Sequence, residues 1–112
     1  LAAALGLLDD AAFALNYVET RAARGRGPAR LVRDLQAMGV ERRHIDAAIA
    51  AHWPPDTDRT AMPRALAARR ARQLGQLPRE AKRRRLVAYL ARRGFTGPEV
   101  RQAIQEALAA PS

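Results

Sequence analysis

The chain has 112 residues, a formal net charge of +9 and a sequence pI near 11.6. It has no cysteine, which excludes disulfide staples and thiolate chemistry, and no apolar run approaches the ~20 residues that span a bilayer. What remains is one modest domain or a few small repeats, basic enough to favour an anionic partner such as nucleic acid, a nucleoprotein or a membrane surface.

Hydrophobic residues make up 48% of the chain, but many are alanine. A thin set of Leu, Ile, Val and Phe positions must therefore supply the core. Residues 1–8, "LAAALGLL", lack the basic region of a signal peptide and read as the tail of a preceding repeat. The opening on Leu1 rather than Met points to a piece of a longer protein, and a cytoplasmic setting is expected by default.

A first helix is expected from Asp9-Asp10 to about Arg24, anchored by Phe13, Tyr17 and Val18. "GRGP" ends it: Gly25 and Gly27 suit a helix C-terminus and Pro28 suits the first turn of the next helix. The second helix, about Pro28 to Met38, places Leu31, Leu35 and Met38 on one face. Gly39 stops it and Val40 covers the turn. A third helix, about Glu41 to His52, buries Ile45, Ala48 and Ile49, and "WPPD" closes the unit. Trp53 reads as an apolar plug there. A second unit then starts near Asp58 or Thr60, runs to Leu74, breaks at "GQLP" and resumes from Pro78 to Arg93. It turns at Gly94-Phe95 and ends with Pro98 to Ala109.

The two units are a repeat. At an offset of 55, Arg30-Leu31-Val32 falls on Arg85-Leu86-Val87, Leu35 on Leu90, Gly39 on Gly94 and Val40 on Phe95. Ile45, Ala48 and Ile49 fall on Val100, Ala103 and Ile104. Matching apolar positions plus the turn glycine are what a duplicated packing unit requires. No segment alternates with period 2, so the expected fold is all-α: tandem three-helix repeats over 9–55 and 56–112, forming an elongated, curved helical array.

The units differ in charge. Residues 1–58 hold seven arginines against eight carboxylates, whereas residues 59–101 hold thirteen Lys or Arg against two. The surplus is therefore not needed for the fold. Within "EAKRRRLVAYLARRGF", four successive cations sweep about 300° of helix and cannot share a face. With Leu86 inward, Lys82 and Arg83 flank the core while Arg84, Arg85 and Arg92 point away. Joined by Arg69 and Arg72 from the preceding helix, these three form the candidate strip for an anionic partner. Arg21, Arg24, Arg26 and Arg30 are the weaker equivalents in the first unit.

An ordered set of residues now resembles the RecX family, regulators of the bacterial RecA recombinase. The set is Asp9-Asp10, Phe13-Ala14, Tyr17-Val18 followed by an Arg, Gly27-Pro28, Leu31 with Leu35, Gly39-Val40, then the late "LARRGF" and "VRQAI". The resemblance covers nearly the whole chain, from about Leu5 to Leu108. It implies tandem three-helix repeats, of which this chain holds the second and third. It also implies binding in the groove of RecA filaments, with lowered ATP hydrolysis, strand exchange and co-protease activity. Some relatives bind DNA directly, so single- or double-stranded DNA is a second expected partner. The family offers no catalytic motif.

Other readings of single residues are weaker. Asp9 and Asp10 diverge by about 100° on a helix and suit a cap with a first-turn acid better than a catalytic pair. His44 and His52 stand about 12 Å apart along a helix, too far to chelate one ion. The lone serine, Ser112, has no nucleophile context. "LQAMGVERRHIDAAI" has the outline of a helix-turn-helix, but a recognition helix needs exposed Arg, Asn or Gln at base edges. The helix Glu41–His52 offers mainly Asp46, Ala47, Ala50 and Ala51 instead. The expected protein is a monomeric, non-enzymatic regulator without cofactor, metal or membrane contact.

Overall fold

The computed structural model describes residues 9–109. The reading of residues 1–8 as the tail of an earlier repeat lies outside them. Six α-helices and no strand are present among the described residues: α1 (Asp10–Ala22), α2 (Pro28–Ala37), α3 (Arg42–His52), α4 (Ala61–Leu74), α5 (Arg79–Arg92) and α6 (Pro98–Ala109). The chain divides between Thr57 and Asp58 into two compact units, each with three helices among the described residues.

Helix starts follow from local chemistry. Asp9 caps α1: its Oδ1 accepts from the backbone N–H of Ala11 at 3.0 Å and of Ala12 at 3.3 Å, satisfying two donors that a helix start leaves open. Asp10 then sits in the first turn, where a carboxylate favours the helix dipole. Both acids thus serve the helix. Pro28 opens α2 at a position whose N–H has no intrahelical partner. Pro63, fully buried, is tolerated in the first turn of α4 for the same reason.

The ends of α2 and α5 are duplicates in atomic detail. Val40 N–H donates to the Leu35 carbonyl at 3.1 Å and Gly39 N–H to that of Gln36 at 3.0 Å. At the offset of 55, Phe95 N–H donates to Leu90 at 2.9 Å and Gly94 N–H to Ala91 at 2.9 Å. This is a Schellman closure, in which a left-handed residue reverses the chain and an apolar residue folds back on the last turn. The left-handed residues are Gly39 (φ 84°) and Gly94 (φ 94°). Nothing lies within 4 Å of a Cβ placed on Gly39, so backbone conformation rather than space selects glycine there.

Each unit has its own core. In the first, Val18, Leu31, Leu35 and Ile45 are fully buried with Ala14 and Ala48 beside them, and Trp53 packs on the edge. In the second, Leu86 and Leu90 are fully buried among Phe95, Val100, Ile104, Ala67 and Ala103. Burying one such Leu or Ile is worth about 1.5–3 kcal/mol. The most extensive packing joins α1 to α3 and α4 to α6. Alanine at Ala14, Ala48, Ala67 and Ala103 suits that close approach.

The second unit begins on an exposed turn at Asp58, whose Oδ1 accepts from both the hydroxyl and, at 2.9 Å, the backbone N–H of Thr60. The Thr60 hydroxyl, then its N–H, then the nearby Arg64 charge hold the Asp58 carboxyl below its ordinary range. A carboxyl depressed by folding stabilises the folded state above its unfolded pKa, and that stabilisation disappears as pH falls through the folded value. Asp58→Asn keeps an acceptor but cannot titrate. The thermal midpoint of Asp58→Asn should lie below that of the original chain at neutral pH, and the gap should close on acidification. A gap independent of pH in circular-dichroism melts would show that the carboxylate charge contributes nothing.

Candidate functional site

The site begins with the fate of each cation. In the first unit Asp34, on α2, gathers positive charge. Its Oδ2 accepts from Arg26 Nη1 at 3.1 Å and from the Tyr17 hydroxyl at 3.1 Å, and Arg30 Nε stands 4.0 Å away. Arg26 also donates to the Tyr17 hydroxyl at 3.2 Å. The Arg21 guanidinium lies over the Tyr17 ring, 4.6 Å from its centre, and donates to Thr20 Oγ1 at 3.0 Å. Arg24 is exposed just beyond α1. Of the four first-unit candidates, then, Arg26 and Arg30 meet Asp34 and Arg21 covers Tyr17, so these three serve the fold of their own unit. On α3, Arg42 pairs with Asp46 at 2.8 Å and Arg43 with Glu41 at 3.3 Å.

The second unit lacks this carboxylate. At the offset of 55, Asp34 corresponds to Tyr89 and Arg30 to Arg85. Counting from the buried alanines Ala14 and Ala67, Tyr17 corresponds to Arg70. The contact between the first and second helices is thus kept with its chemistry exchanged. A tyrosine meeting an aspartate in one unit becomes an arginine meeting a tyrosine in the other. Arg70 lies 5.4 Å from the Tyr89 ring centre and Arg93 lies 5.1 Å from it. A ring face attracts a cation without neutralising it. Arg85 is exposed and forms no ion pair with any described residue.

Among the described residues of this unit four carboxylates face thirteen cations. Asp58 is held by Thr60, Glu80 binds Arg83 at 3.0 Å, and Glu106 binds Arg64 at 2.8 Å. Arg69, Arg72, Arg84 and Arg85 are exposed and unpaired among the described residues. Arg92 is exposed on the same flank of α5 as Arg85, seven residues on.

These five do not form one line. Arg85 and Arg92 flank the Tyr89 side of α5, whereas Arg84 lies on its outer face. On α4, Arg69 is outermost, and Arg72 turns into a recess lined also by Arg79 and Lys82. Sequence reasoning missed Tyr89, Arg70 and Arg93. The signal for Tyr89 was present: the repeat register sets it opposite the acid Asp34.

No group of three His, Cys, Asp or Glu gathers to hold a metal ion among the described residues, and no described helix is long and apolar enough to cross a membrane. The surface offers exposed guanidinium groups on a helical scaffold. Its chemistry is electrostatic attraction and bidentate hydrogen bonding to phosphates or carboxylates.

Comparison with known proteins yields two matching family profiles. One, described as RecX, second three-helix domain, matches residues 9–49; the other, described as RecX, third three-helix domain, matches residues 63–104. Among curated proteins, the chain is 39% identical over 106 residues to a protein of Streptomyces coelicolor named "Regulatory protein RecX", covering 93% of this chain and 55% of that one. Proteins of the same name from Thermobifida fusca and Halorhodospira halophila are 37% and 38% identical, covering 95% and 88% of this chain and 57% and 58% of theirs. The chain thus spans a little over half the length of these relatives. No solved structure matches it.

The exchange of Asp34 for Tyr89 makes a direct prediction. The Asp34 and Arg26 side chains are 24% and 32% exposed, which limits the worth of their pair. Asp34→Asn should lower stability in urea by about 1 kcal/mol. Releasing Arg26 and Arg30 should also raise retention on a heparin column. Retention equal to the original would show that Asp34 does not govern their availability.

Proposed function

The chain belongs to the RecX family of regulatory proteins, and on that premise we propose that it is a non-enzymatic negative regulator of the RecA recombinase. It binds in the groove of the RecA–DNA filament and lowers ATP hydrolysis, strand exchange and co-protease activity. The observation that carries this reading is the unpaired positive charge on α4 and α5, in a unit of thirteen cations and four carboxylates, against a first unit whose described residues hold seven of each. A filament of protein and nucleic acid presents repeated anionic surface. Exposed arginines on a rigid helix can engage it without rearrangement of the scaffold. Arg84, Arg85 and Arg92 are the principal contacts, with Arg69 and Arg72 from α4. Arg24, exposed just beyond α1, is the further first-unit candidate.

A second reading, direct contact with nucleic acid, has its own support in Tyr89. An aromatic ring beside Arg70, Arg85, Arg92 and Arg93 is a combination that single-stranded nucleic acid uses, through stacking and phosphate contacts. Base-specific reading through a helix-turn-helix has less support. Arg42 and Arg43, at the start of α3, are tied to Asp46 and Glu41, and the rest of its exposed face is alanine and aspartate.

The test is RecA ATPase on single-stranded DNA, titrated with this chain and with Arg84→Glu/Arg85→Glu. The chain should inhibit at filament-matched ratios. The double variant should need about tenfold more protein, at roughly 1 kcal/mol or more for the two reversals together, with an unchanged melting temperature. No inhibition by the chain, or equal inhibition by the variant, would contradict the proposal. Steeply salt-dependent binding to naked DNA with no effect on RecA would favour the second reading.

A further inference from the structure

The second unit holds a recess with no equivalent in the charge pattern of the first. It lies where α4 ends, α5 begins and α6 finishes, and its volume is about 780 Å³. The floor is aliphatic: Ala68, Ala71, Leu77, Ala103 and Ala107 line it. The rim is cationic, with Arg64, Arg72, Arg79 and Lys82 against the single acid Glu106. Arg64 and Glu106 satisfy each other at 2.8 Å. Arg79 Nη1 donates to the Leu108 carbonyl at 3.1 Å, in the last turn of α6. Arg72 and Lys82 have no ion pair among the described residues.

The recess depends on a piece of helix that the first unit lacks. α2 has 10 residues and α5 has 14. In the repeat register Pro28 falls on Arg83, so Arg79 to Lys82 form an added first turn. That turn carries two of the four rim cations. It also places Lys82 in a helix N-terminal turn, where positive charge opposes the dipole. Glu80 and Ala81, the other two residues of the turn, suit that position, whereas Arg79 and Lys82 do not serve the helix there.

We propose that this recess docks a short acidic segment of a partner protein. The segment inserts an apolar side chain onto the alanine and leucine floor and sets carboxylates against Arg72, Arg79 and Lys82. The volume falls within the range of ligand-binding clefts, and the lining combines an apolar base with a few convergent polar groups. A phosphate backbone would match the rim and leave the floor unused. Among the described residues no aromatic side chain lines the recess for a base to stack on. The mixture of aliphatic floor and cationic rim is therefore complementary to a peptide of interspersed acidic and apolar residues. This docking does not depend on which filament the protein regulates, since free peptides suffice to test it.

The experiment is fluorescence anisotropy of a labelled peptide of alternating glutamate and leucine, titrated with the chain. A peptide with serine in place of leucine and an oligothymidylate of equal charge serve as comparators. The glutamate–leucine peptide should bind, and Arg72→Glu/Lys82→Glu should weaken it about tenfold, the effect of roughly 1.4 kcal/mol. Helicity should be unchanged, because Arg72 is exposed, Lys82 is only half-buried and neither has an ion pair among the described residues. On the unaltered chain, the peptide should shift the amide resonances of Ala68, Ala71 and Ala107. The proposal is overturned by equal binding of the serine peptide, by tighter binding of the oligothymidylate at these same residues, or by undiminished affinity of the double variant.

Discussion

Asp34 Oδ2 stands within 3.1 Å of both Arg26 and the Tyr17 hydroxyl and within 4.0 Å of Arg30. One carboxylate thus holds two guanidinium groups and a phenol on the seam between α1 and α2. At the same place in the second unit stands Tyr89, which draws Arg70 and Arg93 over its ring but offers no negative charge. This exchange is one part of the electrostatic difference; the larger part is the number of cations, thirteen against four carboxylates among the described residues of the second unit. Arg30 is matched internally; its counterpart Arg85 faces outward without an ion pair among the described residues. A cation over an aromatic face keeps its full charge, so the second unit retains a positive field that the first unit cancels.

The scaffold bears this load because its stability lies elsewhere. The Leu31–Leu35 and Leu86–Leu90 pairs, the Val40 and Phe95 turn residues and the two Schellman closures recur in each unit. None of them involves the variable charges. Burial of a few large aliphatic side chains stabilises each unit by several kcal/mol, whereas exposed like charges on a helix cost only tenths of a kcal/mol per pair. Surface charge can therefore differ between the two units while the core stays constant.

Much of this was legible in the sequence. The repeat register, the glycine turns, the proline starts and the caps are local or periodic signals, and the helix ends fall within three residues of their expected places. The all-α class follows from the same periodicity. The arrangement of the cations was not legible to the same degree. A helical wheel fixes the direction of Arg72 relative to Leu74 but not the neighbour it faces, and Arg72 proves to line a recess with Arg79 and Lys82. Likewise Arg26 is a loop residue, and only the approach of α1 to α2 brings it to Asp34. Tyr89 lay in plain view as the residue opposite an acid. Its meaning needed Arg70, which is set by the packing of α4 on α5 rather than by any pattern along the chain.

The most direct measurement restores the missing carboxylate. Isothermal titration of a heparin fragment into Tyr89→Asp and Tyr89→Phe separates loss of the ring from gain of the charge. If absence of an acid at this position is what leaves the second unit's arginines available, Tyr89→Phe should bind much as the original chain does. Tyr89→Asp should bind about tenfold more weakly at low ionic strength, as one carboxylate beside several guanidiniums is worth roughly 1 kcal/mol or more. Equal affinity of the two variants, with helicity intact in both, would contradict the account.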